Sequence, residues 1–297
     1  MGTVNESLPG RVTLGALVKD YGFELDPPSA GEVTITSITD NVSSARPGSL
    51  FIARDPADRS ELELAQSRGA YAIMLPASLA SSGTVECDVP VVYASPTPQQ
   101  LGAMASGIAG NPSSTMAVFA VGGSDADEVR ASVLRVADFL HMLGNPVSVI
   151  SSSGSRSLER QLPLNHPIGV LDVENVLAVC AEDGATAVII ALEDSTLRPD
   201  SLQKVEVDVL ATVDPVEGPD EGRTRRDSLI SRYGFELADD APLVTVSPES
   251  DELAVQSGLS LGPGGKRRLS LAIAMALAAG VRRGNIRGAL KVSRELG

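Results

Sequence analysis

Tryptophan is absent from this 297-residue chain, aromatic residues make up 3% of it, and histidine and cysteine occur only twice each. Cys87 and Cys180 stand far apart without a CxxC spacing, which excludes a disulfide framework or zinc knuckle and leaves reduced thiols as the expectation. Two histidines leave little scope for nucleophilic catalysis, which needs a base beside a Ser or Cys. His141 falls inside a helical run as a boundary residue, and His166, in LPLNHPIG, reads as a turn residue before Pro167, with a ligand contact as the alternative. No apolar run is long enough to span a bilayer, the longest being LSLAIAMALAAGV, and MGTVNESLPG has no basic-then-apolar leader pattern. Cations are scarce: 24 Lys and Arg face 38 Asp and Glu, for a formal charge of −14 and a pI near 4.6. Such a balance repels nucleic acid and anionic membrane. The short basic groups Arg223, Arg225, Arg226 and Lys266, Arg267, Arg268 lack interleaved aromatics and read as solvated faces. The expectation is a cytoplasmic chain with no nucleic-acid partner and no membrane insertion.

What is present is folded-protein composition, 43% hydrophobic, in a chain long enough for two domains. Residues 1–95 carry short β-rich runs, VTITSI, SLFIA, YAIML and VPVVY, with helical TLGALVKDYG and DRSELELAQSRG between or before them, a small α/β domain. ASPTPQQ marks the boundary. Residues 96–297 alternate strand candidates AVFAV, VSVIS, TAVIIAL, VDVLATV and LVTVS with helical or loop stretches, the signature of a mostly parallel, doubly wound α/β sheet. SLAIAMALAAGV and NIRGALKVSREL supply closing helices. SSSGSRS reads as a mobile loop at a strand end, with a phosphate or sugar contact as the alternative, and LGPGGKRR as a loop or hairpin tip.

AVFAVGGSDADEVR is a strand, a glycine turn and a helix start, an arrangement that commonly binds phosphate. Here Gly122, Gly123 and Ser124 are followed by Asp127 and Glu128, where a phosphate loop has lysine and a metal-binding hydroxyl. One charge reversal at about 4 Å turns roughly 4 kcal/mol of attraction into repulsion, at an effective dielectric of 20. Rejection of ATP is expected. Ser124 and Asp127 have capping-box spacing, and the acids complement the helix dipole, so this end is expected to be closed by its own side chains.

The order of these motifs resembles the Mur ligases, bacterial ATP-dependent enzymes that add amino acids to the UDP-N-acetylmuramoyl peptide precursor of peptidoglycan, and most closely the type adding the third residue. NVSSARPGSLFIA is similar to the family's DSRxVxPGxLFxA, NPSSTMAVFAVGG to its P-S segment and loop entry, and SLAIAMALAAGVRRGNIRGALKVSREL to the helices closing its central domain. The resemblance covers the first two of three domains: an N-terminal UDP-sugar domain and a central P-loop-like domain. It implies UDP-sugar contacts at Asn41, Ser43 and Ser44, and places Glu193 at a metal-binding glutamate, though a solvated strand-end acid is the reading preferred. It puts Leu197 at a histidine position, and the family's modified lysine near Arg226. His166 falls at a substrate-contacting segment.

Because TGTNGKTT is replaced by GGSDADEV, the expectation is a catalytically degenerate Mur-ligase-like protein. It has no catalytic residue and no use of the family's ATP and magnesium, and binds, scaffolds or regulates in peptidoglycan precursor synthesis. Its expected partner is a UDP-N-acetylmuramoyl peptide or a cell-wall synthesis protein. The alternatives are a nucleotide-sugar binding module and an ATP-dependent ligase completed by a partner chain.

Overall fold

The computed structural model describes residues 12–54, 56, 58–80, 87–238, 241–258 and 261–296; MGTVNESLPG, read as lacking a leader pattern, lies outside them. The chain forms two compact units, one taking in the chain up to Asn111 together with Val170–Asn175, the other Pro112–Gly169 and the chain from Val176 onward.

In the first unit the order is α1 (Leu14–Tyr21), β1 (Glu24–Asp26), β2 (Ser37–Thr39), β3 (Ser49–Ile52), α2 (Arg59–Ser67), β4 (Ala72–Leu75), β5 (Val91–Tyr93) and α3 (Pro98–Ala109). The sheet runs β1-β5-β4-β3-β2, parallel except for β1. Strand alternation splits its core. Leu50, Met74 and Val92 pack with α1 and α3, while Phe51, Ile73 and Leu75 pack with α2. The division at 95/96 is therefore corrected: α3 buries Met104, Ala105 and Ile108 in the first core. The prolines of ASPTPQQ introduce this helix, with Thr97 and Gln100 forming its capping box, and do not separate domains.

The second unit contains β6 (Ala117–Gly122), α4 (Ala126–Met142), β7 (Val147–Ile150), β8 (Ser155–Ser157), β9 (Arg160–Leu162), most of α5 (Val170–Glu182), β10 (Ala187–Leu192), β11 (Val209–Thr212), α6 (Pro219–Tyr233), α7 (Pro248–Gln256), α8 (Pro263–Ala278) and α9 (Arg283–Leu296). Its sheet has the order β9-β8-β7-β10-β6-β11, with β7, β10, β6 and β11 parallel. The expected strand LVTVS is reduced to a single bridge between Val244 and Ala211. Phe119, Val121, Ile189 and Ala211 point to the face covered by α4, α7, α8 and α9, while Val118, Ala120, Ile190 and Leu210 are buried on the other face. On α4, Val129, Val133, Val136, Phe139 and Leu140 recur at helical spacing and are all buried, each contributing about 1.5–3 kcal/mol of transfer free energy. LGPGGKRR is not a hairpin tip: Gly262 caps α8, Pro263 opens it, and the three cations stand in its first two turns.

Among the described residues, no helix is long and apolar enough to cross a membrane.

Candidate functional site

Register brings three strand ends to one edge: Gly122 pairs with Leu192 on one side and Thr212 on the other, so Gly123, Glu193 and Val213 emerge side by side. This carboxyl edge is where α/β sheets hold ligands. Packing fixes the glycines. A Cβ on Gly123 would lie 2.4 Å from Val213 Cγ2, and one on Gly122 would lie 3.0 Å from the methyls of Leu229.

Asp125 closes the helix end. Its Oδ1 accepts from the backbone N–H of Asp127 at 3.0 Å and Glu128 at 3.2 Å, which occupies donors a phosphate would need. The Ser124–Asp127 capping box does not form, because Ser124 turns to Asp214: its N–H donates to Oδ2 at 2.9 Å and its hydroxyl to Oδ1 at 2.8 Å. Asp214 is itself positioned by Thr212 Oγ1, 3.2 Å from its N–H, and is paired with Arg225.

Asp127 and Glu128 turn their carboxylates to cations instead. Glu128 takes a two-pronged bridge from Arg268, 3.0 Å from Nε and 2.6 Å from Nη2. Asp127 pairs with Arg130 at an almost fully exposed position, so its carboxylate does not itself fill the anion site. That role belongs to Asp125 and Asp214.

Glu193 is buried, contrary to the solvated acid expected. Its Oε1 accepts from the Ser152 hydroxyl at 2.8 Å and from Thr196 Oγ1; its Oε2 accepts from Arg130 Nη1 and the Ser195 N–H, both at 3.2 Å, and from the Ser195 hydroxyl. Burial pushes this carboxyl up, but the Ser195, Thr196 and Ser152 hydroxyls and the Arg130 charge together hold it below the usual carboxylate range. The Ser-rich stretch is likewise tied down: Ser152 N–H donates to Thr196 Oγ1 at 2.8 Å and Ser151 N–H to Ser155 Oγ at 3.1 Å.

His166 stands between two elements, Nδ1 2.9 Å from the Thr196 carbonyl and Nε2 3.0 Å from Ser155 Oγ. The Thr196 contact puts the proton on Nδ1, leaving Nε2 to accept from Ser155. Ser155 is buried, so the pair latches the β8 hairpin to the turn after β10 and offers no accessible nucleophile. Leu197 is buried. Arg226 reaches the Ala241 carbonyl at 3.1 Å, and it is Arg225 that faces the loop residue Asp214. In the first unit, Asn41 Oδ1 accepts from Ser43 N–H at 2.9 Å and caps the 3₁₀ turn Val42–Ser44; Ser43 and Ser44 are exposed.

The donors of this helix end and the cations around it are engaged within the chain. The described residues contain no group of three His, Cys, Asp or Glu able to hold a metal. Arg267 also donates to the Val213 carbonyl at 2.8 Å, and the space left among Glu128, Ser132, Thr212, Asp214 and the two α8 arginines is about 10 Å³, room for about one water. Asp125, Arg130 and Asp214 are the residues sequence reasoning missed, and Arg225 and Arg268, read from sequence as solvated, hold Asp214 and Glu128. Only Asp125 carried a local signal, an Asp directly before an apolar-periodic run.

A parallel sheet with helices on both faces, whose first strand opens through two glycines onto a helix, defines a P-loop-like α/β domain preceded by a smaller α/β unit. This is the fold of the Mur ligases. The chain is similar to a UDP-N-acetylmuramoyl-L-alanyl-D-glutamate–2,6-diaminopimelate ligase, with a TM-score of 0.56 and 14% identity over 96% of this chain and 67% of that one. It is similar to MurF from Acinetobacter baumannii, with a TM-score of 0.53 and 12% identity over 96% and 69%. A UDP-N-acetylmuramoylalanyl-D-glutamyl-2,6-diaminopimelate–D-alanyl-D-alanyl ligase from the same organism gives 0.53 and 13% over 96% and 70%. No protein-family model and no curated protein sequence matches the chain.

Proposed function

We propose that this chain is a catalytically degenerate Mur-ligase-like protein, a binding, scaffolding or regulatory component linked to peptidoglycan precursor synthesis. One observation carries the reading: the helix end that would receive a phosphate is capped by Asp125, and the charges around it are neutralised internally, Asp127 by Arg130, Glu128 by Arg268 and Asp214 by Arg225. Acyl-phosphate chemistry rests on cations that stabilise transferring phosphoryl oxygens. Here the arginines already hold carboxylates, and a nucleotide would have to break several such pairs at once.

Two measurements test this. Calorimetry with magnesium ATP is expected to give no heat, and ATP hydrolysis with a UDP-N-acetylmuramoyl peptide and an amino acid is expected to stay at background. Turnover in that mixture would overturn the proposal. Heat from the UDP-N-acetylmuramoyl peptide alone would identify the retained ligand.

A further inference from the structure

Residues 243–245 form the outer edge of the second unit's sheet beyond β11. Val244 alone is bridged to that strand: its N–H donates to the Leu210 carbonyl at 2.8 Å, and its carbonyl accepts from the Thr212 N–H at 3.0 Å. Successive residues of an extended chain turn their N–H and C=O groups to opposite sides, so those of Leu243 and Thr245 point away from β11. Among the described residues none of these four groups has a hydrogen-bond partner. Two residues earlier, the Ala241 carbonyl is taken by Arg226 Nη1 at 3.1 Å, which ties the edge to α6 and makes Arg226 part of the wall.

A cavity of about 520 Å³ lies against this edge and is closed on its far side by the start of α6, a volume that holds a small ligand or a few peptide residues. Leu243 and Thr245 line it and Val244 does not, as the alternation requires; Val244 and Val246 pack against the core instead. Val216 and Pro219 make the facing wall apolar. Arg223 stands at the rim, its side chain 66% exposed, paired with the 93% exposed Asp220. A carboxylate this hydrated makes a weak pair and is exchanged into water at little cost.

We propose that this cavity binds a short extended peptide segment, which adds to the sheet edge through the main-chain groups of Leu243 and Thr245, lays an apolar side chain on Val216 and Pro219, and presents an acidic side chain to Arg223. Two donors and two acceptors stand two strand rises apart, about 6.8 Å, which is the repeat of an extended main chain and selects a peptide over other apolar ligands. Arg223 sets the charge preference. Pro242 and Pro248 bound the edge, which keeps the added strand short and blocks open-ended sheet growth. The inference is independent of the fate of the phosphate loop.

The test is calorimetry on the full chain with the peptide acetyl-Val-Thr-Val-Glu-Val-amide. Saturable binding below about 1 mM is expected, with the peptide carrying Gln in place of Glu about threefold weaker. Backbone N-methylation of the peptide's second and fourth residues, or of its first, third and fifth, removes the donors of one peptide edge at a time. Only one of the two sets is expected to abolish binding, because a strand pairs through one edge. Thr245→Pro deletes one unpaired donor and is expected to weaken binding about tenfold, with circular dichroism showing the variant folded. Should that variant unfold, slowed hydrogen exchange of the Leu243 and Thr245 amides in the parent on peptide addition, read by NMR, carries the same test. No saturable binding overturns the proposal, as do equal binding of the Glu and Gln peptides, the same response to both methylated sets, or amides left unprotected by bound peptide. A dimer in sedimentation velocity that Thr245→Pro dissolves would assign the edge to a second copy of this chain and overturn it as well.

Discussion

Replacing Glu174 by glutamine removes an ionisable group from the interior of the first unit. The side chain sits on α5, is 1% exposed, and neither oxygen has a partner in hydrogen-bond geometry. Burial pushes its pKa from 4.5 up to about 8, with the nearby Ser106 hydroxyl opposing the shift. An acid whose folded pKa is raised stays protonated in the fold where the unfolded chain is ionised, so unfolding releases a proton. Stability is then full below about pH 4.5, falls as pH rises towards about 8, and is level above that. The slope is about 1.4 kcal/mol per pH unit, and the 4.5-to-8 interval bounds the whole loss at ~5 kcal/mol. Glutamine carries no such slope. Urea unfolding followed by circular dichroism at several pH values should therefore show Glu174→Gln near or slightly below the parent at about pH 5, where the new amide lacks partners, and more stable by a few kcal/mol at about pH 8. A difference between the two proteins that is constant across this range would refute the buried, protonated carboxyl.

Arg130→Met should destabilise by about 2–3 kcal/mol, because it strands the buried Glu193 while Arg130 itself is partly exposed. In a Glu193→Gln background the cost should drop below about 1 kcal/mol in denaturant unfolding, and an undiminished cost would show the two are not coupled. Since the Glu193 pKa is depressed in the fold, the stability it contributes is present above the ordinary carboxylate range and lost as pH falls through its folded value, so parent and Glu193→Gln should converge in acid. Gly123→Ala should cost about 1–3 kcal/mol through its 2.4 Å approach to Val213, with a neutral thermal melt as the contrary result. Asp127→Lys with Glu128→Thr should leave magnesium ATP unbound in calorimetry, because Asp125 and Asp214 remain; measurable binding would place the obstruction in the two replaced acids after all.

Much of the architecture was legible because it rests on local periodicity. The α4 stripe from Val129 to Leu140 and the strands AVFAV and TAVIIAL carry their burial in their spacing, and α1 ends where Gly22 takes a left-handed conformation. The edge Val244 was read as a full strand because its β-rich surroundings say nothing about how many partners it meets. The candidate site was legible only as a location. Its partners come from residues far apart in sequence, Ser124 with Asp214, Glu128 with Arg268 and Arg130 with Glu193, and no window of the chain displays them. Glu193 shows the limit most clearly: an acid after an apolar strand looks solvated until the register places Ser152, Ser195, Thr196 and Arg130 around it. Glu174 could have been suspected, since it falls three residues from both Leu171 and Leu177 on the buried stripe of α5.

On the proposed reading, a phosphate-loop-like helix start without its lysine has a physical reason to be closed. A helix start presents backbone N–H groups that require partners whether or not a phosphate is present. With Asp127 and Glu128 at the positions of the lysine and hydroxyl, an open end would gather carboxylates without a cation. The arrangement resolves this in two ways at once. Asp125 takes the N–H groups, and Arg130, Arg225 and Arg268, on two different helices and in the loop's own first turns, take the acids. For the partly buried pairs, Glu128 with Arg268 and Asp214 with Arg225, each member is tolerable only alongside its partner, because an unpaired buried charge costs several kcal/mol. Replacing Asp127 by lysine alone would add a cation and remove the acid paired with Arg130, yet the backbone N–H groups would still be occupied by Asp125.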